Sequence, residues 1–271
     1  MSGLNKASFT NNNNKINKQC KNERMQLLDE LLLQLLDKVD ELLVFKGGYM
    51  LSKMLSDARM THDIDLSISD QEEYENMKPK LQNIGEYFVQ KGFVDHYEIL
   101  DIIPKKKSGG IKLKNENGEN VIGLDISIQD LSYGITKEDI HIALVDSYCI
   151  ERMLSDKLYV ILSNKRYRRT KDLYDLYIIT EFIDINYDLL KDCIYQRGYS
   201  DYQFDNIPFS EEDMLKYIHS WESLEIHNPN TNEISDKPDL KLVLKRLYRF
   251  VAPFKYDYIK KYWSYNLRRW L

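Results

Sequence analysis

A glycine pair set between a short apolar run and a helical pattern, with an alternating acidic segment soon after, limits what this chain can fold into more than any other feature. Leu42-Leu43-Val44-Phe45 has the length and content of a short buried strand, and Lys46-Gly47-Gly48 ends it. From Tyr49 to Ser56 apolar side chains return at helical spacing. Asp63 to Ser69 then alternates, with Asp63, Asp65, Ser67 and Ser69 on one face and Ile64, Leu66 and Ile68 on the other. That is the period of a half-buried strand. Strand, glycine turn, short helix and strand, in that order, make an α/β unit.

The alternation places both carboxylates on one side of the strand, since residues two apart project together. Like charges at that separation repel and raise a pKa unless something positive lies between them. A hard divalent cation resolves the repulsion, and Mg²⁺ is the usual one where a nucleotide supplies further oxygens. An isolated Asp-x-Asp is more often a solvated strand face. The upstream glycines shift that balance, because Lys46-Gly47-Gly48 before a helix presents backbone N–H groups at a positive dipole end with no Cβ in the way. Arg59 and Thr61 complete the composite, which reads KGGYML, seven residues, then RMTHDIDL.

Around this unit the pattern predicts a helix from Glu23 to Asp40 and another from Glu72 to Lys91. Strands are expected over Tyr97–Ile103, Ile111–Leu113 and Val121–Ile128, with Gly109-Gly110 and Asn115–Asn120 as turns. From Asp146 the texture becomes helical. Asp146 and Ser147 read as N-cap residues of a helix running to Ser163, followed by helices over Lys171–Phe182, Ser210–Ser220 and two segments near the C-terminus. The expected fold is therefore α+β. Residues 1–22 form a disordered tail, 23–145 an α/β domain and 146–271 a mostly helical domain.

Bulk properties exclude several classes. No apolar run approaches the length of a bilayer span, and the N-terminus lacks a hydrophobic signal core, so a cytoplasmic protein without membrane contact is expected. Cys20, Cys149 and Cys193 are far apart and form no CxxC, which argues against a disulfide framework or a structural zinc site. The net charge of −5 gives no bulk attraction to nucleic acid. Cations are nevertheless concentrated at Lys165, Arg166, Arg168, Arg169 and Lys171, and between Pro238 and Leu271, where Tyr248, Tyr256, Tyr258, Tyr262, Tyr265, Trp263 and Trp270 also lie. Those aromatics suit either base stacking or a core; Leu242, Leu244, Leu247 and Phe250 favour the core for most of them.

The composite motif resembles the nucleotidyltransferase toxins of the AbiEii family, relatives of the MenT toxins within the DNA polymerase β-like superfamily. The resemblance extends from Val44 to Tyr177. It implies a nucleotidyltransferase fold, a mixed sheet flanked by helices, with the helical C-terminal region contributing to the site. Asp125, in Val121-Ile-Gly-Leu-Asp-Ile-Ser, fits the third acid of the family; Lys157 fits its helical lysine and Lys171-Asp172-Leu173-Tyr174-Asp175 its Lys-Asp-x-x-Asp helix. Tyr49 stands where a small hydroxyl residue is common, and Thr61 where serine is frequent.

The resemblance implies an Mg²⁺-dependent enzyme, with Mn²⁺ as an alternative, that moves a nucleoside monophosphate from an NTP to an acceptor and releases pyrophosphate. The implied acceptor is RNA, the 3′ end of tRNA, and the implied partner a cognate antitoxin, in a toxin–antitoxin or phage abortive-infection setting. Asp63, Asp65 and Asp125 would hold metal, Asp125 alternatively orienting the acceptor hydroxyl. Lys46, Gly47, Gly48, Arg59 and Thr61 would hold the nucleotide. Lys157 would hold phosphate oxygens and Asp172 would orient Lys157 or the sugar, while Asp175 would be either a partner on the same helix face or an acid stabilising the helix dipole. Two other readings stand beside this one: transfer to a protein or small-molecule hydroxyl, and a nucleotide-binding regulator without turnover.

Overall fold

The computed structural model describes residues 7–102, 108–162, 169–198, 204, 207–229, 233–256 and 260–271, with side chains of the first helix described from Glu23 onward. The chain is α+β, built on a mixed seven-stranded sheet. Its first half runs α1 (Ala7–Lys38), β1 (Val44–Lys46), α2 (Gly47–Met54), β2 (Asp63–Ile68), α3 (Gln71–Gln90), β3 (His96–Leu100), β4 (Ser108–Lys114), β5 (Asn120–Ile128), β6 (Ile135–Asp139) and β7 (Leu144–Tyr148). Spatial order in the sheet is β3-β4-β5-β2-β1-β7-β6. β2 lies parallel to β5, and β1 parallel to β7; the other neighbours are antiparallel.

One face of this sheet is closed by α1 and α3. Leu28, Leu31, Leu32 and Leu35 of α1 are fully buried, as are Tyr74, Met77, Leu81, Ile84 and Phe88 of α3. They meet the inward set of the strands, Ile64, Leu66, Ile68, Ile122, Leu124 and Ile126, all fully buried. The acids of β2 and β5 therefore point to the opposite face.

The second half consists of α4 (Ile150–Ile161), α5 (Thr170–Phe182), β8 (Ile185–Asn186), α6 (Tyr187–Gly198), α7 (Glu211–Glu222), α8 (Leu240–Tyr256), β9 (Tyr262–Ser264) and β10 (Arg269–Trp270). α7 opens with a reciprocal capping box between Ser210 and Asp213. Trp263, Trp270 and Phe250 pack on one another with ring centroids 5.0–5.8 Å apart, so these aromatics fill a core, as expected. Tyr248, Tyr256 and Tyr262 stay exposed, as does Leu242.

Several local expectations are corrected. Asp146 and Ser147 belong to β7 and do not cap a helix; Ser147 Oγ donates to the Phe45 carbonyl at 3.1 Å, and α4 starts after Cys149. Pairing of β7 with β1 satisfies this backbone and overrides the local capping preference. The 145/146 boundary accordingly falls inside a sheet strand. Gly109-Gly110 lies within β4, where the absent side chains admit the Tyr74 hydroxyl, which accepts from the Gly110 N–H at 3.0 Å. The second C-terminal segment is not helical: β9 and β10 pair with each other and β9 with β8. β6 carried no recognised signal. α1 begins upstream of Glu23, at Ala7. Lys165, Arg166, Arg168, Ile103 and Tyr258 lie outside the described residues.

Candidate active site

The parallel pairing of β2 with β5 sets side chains in ranks across the open face: Asp63 opposite Gly123, Asp65 opposite Asp125, and Ser67 opposite Ser127. On the other side of β2, Lys46 is the register partner of Asp65. The Lys46 ammonium donates to Ser127 Oγ at 2.7 Å and lies over the Tyr148 ring at 5.3 Å. Tyr148 hydroxyl and Ser67 Oγ are 2.8 Å apart. A polar strip thus runs from Asp63 to Tyr148 on a sheet whose other face is hydrocarbon.

Burial pushes the Asp65 carboxyl up to about 6; the Lys46 charge opposes this, and Asp125 and Asp63 add to it. Burial likewise lowers the Lys46 ammonium below its ordinary value, against the attraction of Asp156 and Asp65. The site therefore concentrates negative charge at a position short of solvent.

Lys112 was not anticipated. Projecting from β4, its Nζ donates to Asp63 Oδ1 and to Asp125 Oδ1, each at 2.9 Å. Burial lowers this ammonium, but the two carboxylates outweigh it and hold Lys112 above its ordinary value. The bridge depends on its register partner Gly123, where a Cβ would stand 2.5 Å from Asp63 Oδ1 and 2.8 Å from Lys112 Nζ.

The glycine turn is fitted to Asp65 with equal closeness. Gly47 has φ +76°, and a Cβ there would stand 2.3 Å from Asp65 Oδ2. Only glycine takes that backbone without strain, and only glycine leaves the carboxylate in place. Tyr49, by contrast, turns away from the cleft: its hydroxyl donates to Asp29 of α1 at 2.7 Å. Gly47→Ala is expected to lower stability by about 1–2 kcal/mol from backbone strain alone, more if Asp65 cannot yield, and to weaken nucleotide binding at least tenfold. Urea unfolding and equilibrium dialysis with an NTP would measure the two effects; unchanged nucleotide affinity would dismiss the turn as a phosphate cradle.

The helical half supplies Lys157, Arg169 and the two acids that hold Arg59 and Lys157 in place. Lys157 of α4 donates to Asp175 Oδ2 at 2.6 Å and to Asp172 Oδ1 at 3.3 Å. Arg59 meets the same Asp175 with Nε at 3.0 Å and Nη2 at 3.1 Å. Arg169 Nε reaches Asp172 at 2.6 Å. Asp175, only 3% exposed, is thus the hub, and Asp172 the lesser partner of Lys157. Burial raises the Asp175 carboxyl, yet Lys157 and Arg59 pull it below the usual carboxylate range. Burial similarly lowers Lys157, and Asp175 and Asp172 more than restore it.

Two clefts meet at Asp65 and Arg59. One is lined by Lys46, Gly47, Gly48, Lys157 and Asp172 together with Tyr148, Met153 and Asp156. The other is lined by Thr61, His62, Asp63, Asn120 and Lys171. Thr61 Oγ1 donates to the Asp63 carbonyl at 3.3 Å and so faces the second cleft. His62 is lowered to about 4, by burial first and then by Arg24, so its imidazole is neutral at pH 7.

Among the described residues, no group of three His, Cys, Asp or Glu side chains converges to hold a metal by itself. Lys112 engages one oxygen of Asp63 and one of Asp125 alike, leaving each acid a second oxygen. Asp63 and Asp65 fit a cation that takes its remaining ligands from phosphate oxygens, as Mg²⁺ commonly does. The donor set is all oxygen, which suits a hard cation.

The family model described as "Nucleotidyl transferase AbiEii toxin, Type IV TA system" matches residues 30–254. Among solved structures, the chain is similar to MenT4, a nucleotidyltransferase toxin from Mycobacterium tuberculosis H37Rv, at 17% identity and a TM-score of 0.53, covering 92% of this chain and 90% of that one. A putative nucleotidyltransferase from H. pylori aligns at 14% identity and a TM-score of 0.46, over 94% of this chain and 98% of that one. No curated protein sequence matches the chain.

Proposed function

The chain belongs to the AbiEii family of nucleotidyltransferase toxins of type IV toxin–antitoxin systems, and from that premise we propose that it transfers a nucleoside monophosphate from an NTP to a hydroxyl of RNA, at the 3′ end of tRNA. The observation that carries this reading is the convergence of Asp65, the Gly47-Gly48 turn and Lys157 on one cleft, although the residues lie far apart in the chain. A cytoplasmic location follows from these substrates, and a cognate antitoxin would hold the activity in check.

The triphosphate lies over the glycine turn, where the first backbone N–H groups of α2 have no intrahelical acceptor. Asp63 and Asp65 would hold Mg²⁺, which when bound would supply charge neutralisation and Lewis-acid activation of the phosphate. Lys157 has three N–H donors; it faces the triphosphate with its direction fixed by Asp175 and Asp172. The acceptor enters from the second cleft, past Lys171 and Asn120. Asp125 has one oxygen on Lys112, and its other oxygen accepts the proton of the acceptor hydroxyl. As the new oxygen–phosphorus bond forms, the bond to the β-phosphate breaks and pyrophosphate leaves in line.

Incubating the protein with total tRNA, Mg²⁺ and each α-labelled NTP in turn tests the proposal. Label is expected on tRNA with at least one NTP. Labelling of a lysate that survives RNase would move the acceptor to a protein, and tight NTP binding without pyrophosphate release would leave only a nucleotide-binding regulator.

A further inference from the structure

Three carboxylates gathered on one sheet face ordinarily demand external positive charge, yet here Lys112 already bridges two of them. Its ammonium sits 2.9 Å from Asp63 and 2.9 Å from Asp125. The side chain is only 15% exposed and arrives from the neighbouring strand through the gap left by Gly123. Register fixes this arrangement, because Lys112 pairs with Gly123 and Gly123 with Asp63. No flexible surface lysine reaching at random would need a missing Cβ opposite it.

We infer that Lys112 takes the place of a second cation in the acid cluster, so that the nucleotide-free protein holds divalent metal weakly and gains it together with the triphosphate. This rests on the reading of Asp63 and Asp65 as cation ligands. A fixed ammonium between Asp63 and Asp125 repels a dication and occupies one oxygen of each acid. The phosphate oxygens of an incoming NTP supply what the protein withholds. Lys112 is then a positioning residue: it sets the order in which metal and nucleotide load, and it keeps Asp125 aimed at the acceptor side.

The test is Mn²⁺ binding to the nucleotide-free protein, followed by the electron paramagnetic resonance signal of the free ion. Lys112→Met, which keeps the stem and removes the charge, is expected to bind Mn²⁺ at least tenfold more tightly than the parent chain. Lys112→Arg, which keeps the charge, is expected to stay within about twofold of the parent. Circular dichroism melting checks that each variant folds, and Lys112→Gln replaces Met if the thioether variant does not. Equal Mn²⁺ affinity in the parent, Met and Arg chains would overturn the inference and leave the cation site standing. If none of them binds Mn²⁺ with or without a non-hydrolysable NTP analogue, the cation site itself is wrong and the inference falls with it.

Discussion

Asp65→Asn is expected to abolish nucleotide transfer, by at least about a thousandfold, and at the same time to make the metal-free protein more stable at neutral pH. The first half follows from removing a cation-holding carboxylate at the centre of the site. The second follows from the burial of that carboxyl. Burial raises the Asp65 carboxyl to about 6, with Asp125 and Asp63 adding to the effect against Lys46. In the unfolded chain it titrates near 3.9. Between those values the folded state binds more protons than the unfolded one, so this group's contribution to stability is greatest at low pH and is lost as pH rises through 6. At pH 7.5 the charged carboxylate therefore costs the fold at most about 3 kcal/mol. Asparagine removes that cost while keeping the shape. In EDTA, the variant should melt several degrees higher than the parent at pH 7.5, with the gap closing below about pH 4. A variant that melts lower at pH 7.5 would show that the buried, charged carboxylate does not cost the fold stability.

Asp175→Ala is expected to destabilise the chain by about 3–5 kcal/mol, the cost of leaving buried cations without their counter-charge. An acid whose only task was to complement the dipole of α5 would cost well under about 1 kcal/mol. The magnitude thus decides between the two roles left open by the sequence. Both oxygens of Asp175 are engaged, by Lys157 at 2.6 Å and by Arg59 at 3.0 and 3.1 Å. Lys157→Met in the Asp175→Ala background should recover part of the loss, since one stranded charge goes with it. Asp172→Ala should cost less than Asp175→Ala, because its Arg169 partner is half exposed. Urea unfolding of the three variants and the parent measures all of this. A loss below about 1 kcal/mol for Asp175→Ala would return the residue to the helix dipole.

The strand of alternating acids was legible because period two survives in any half-buried strand, and Asp63, Asp65 and the glycine turn follow one another within the chain. Asp125 could be read on its strand too. What no local pattern carries is register. Lys112 sits in an unremarkable alternation between Ile111 and Leu113, and only the pairing of β4 with β5 shows that it reaches both Asp63 and Asp125. Asp175 was visible as a helix acid, but its partner Arg59 is 116 residues away. Asp146-Ser147 misled for the opposite reason: a strong local capping signal lost to sheet pairing with β1. Sequence therefore located the strand acids and the glycine turn, but not the residues that meet them from distant parts of the chain.

The Arg59–Asp175–Lys157 clamp has a bearing on how such a protein is made. Arg59 leaves the ribosome long before its counter-acid, and the acidic strand β2 leaves with it. A polypeptide released between Lys157 and Asp172 carries the carboxylates and the glycine loop but lacks the acids that engage Lys157 and Arg59. The clamp therefore ties completion of the cleft to synthesis and docking of the helical half, because Lys157 and Asp175 both come from it.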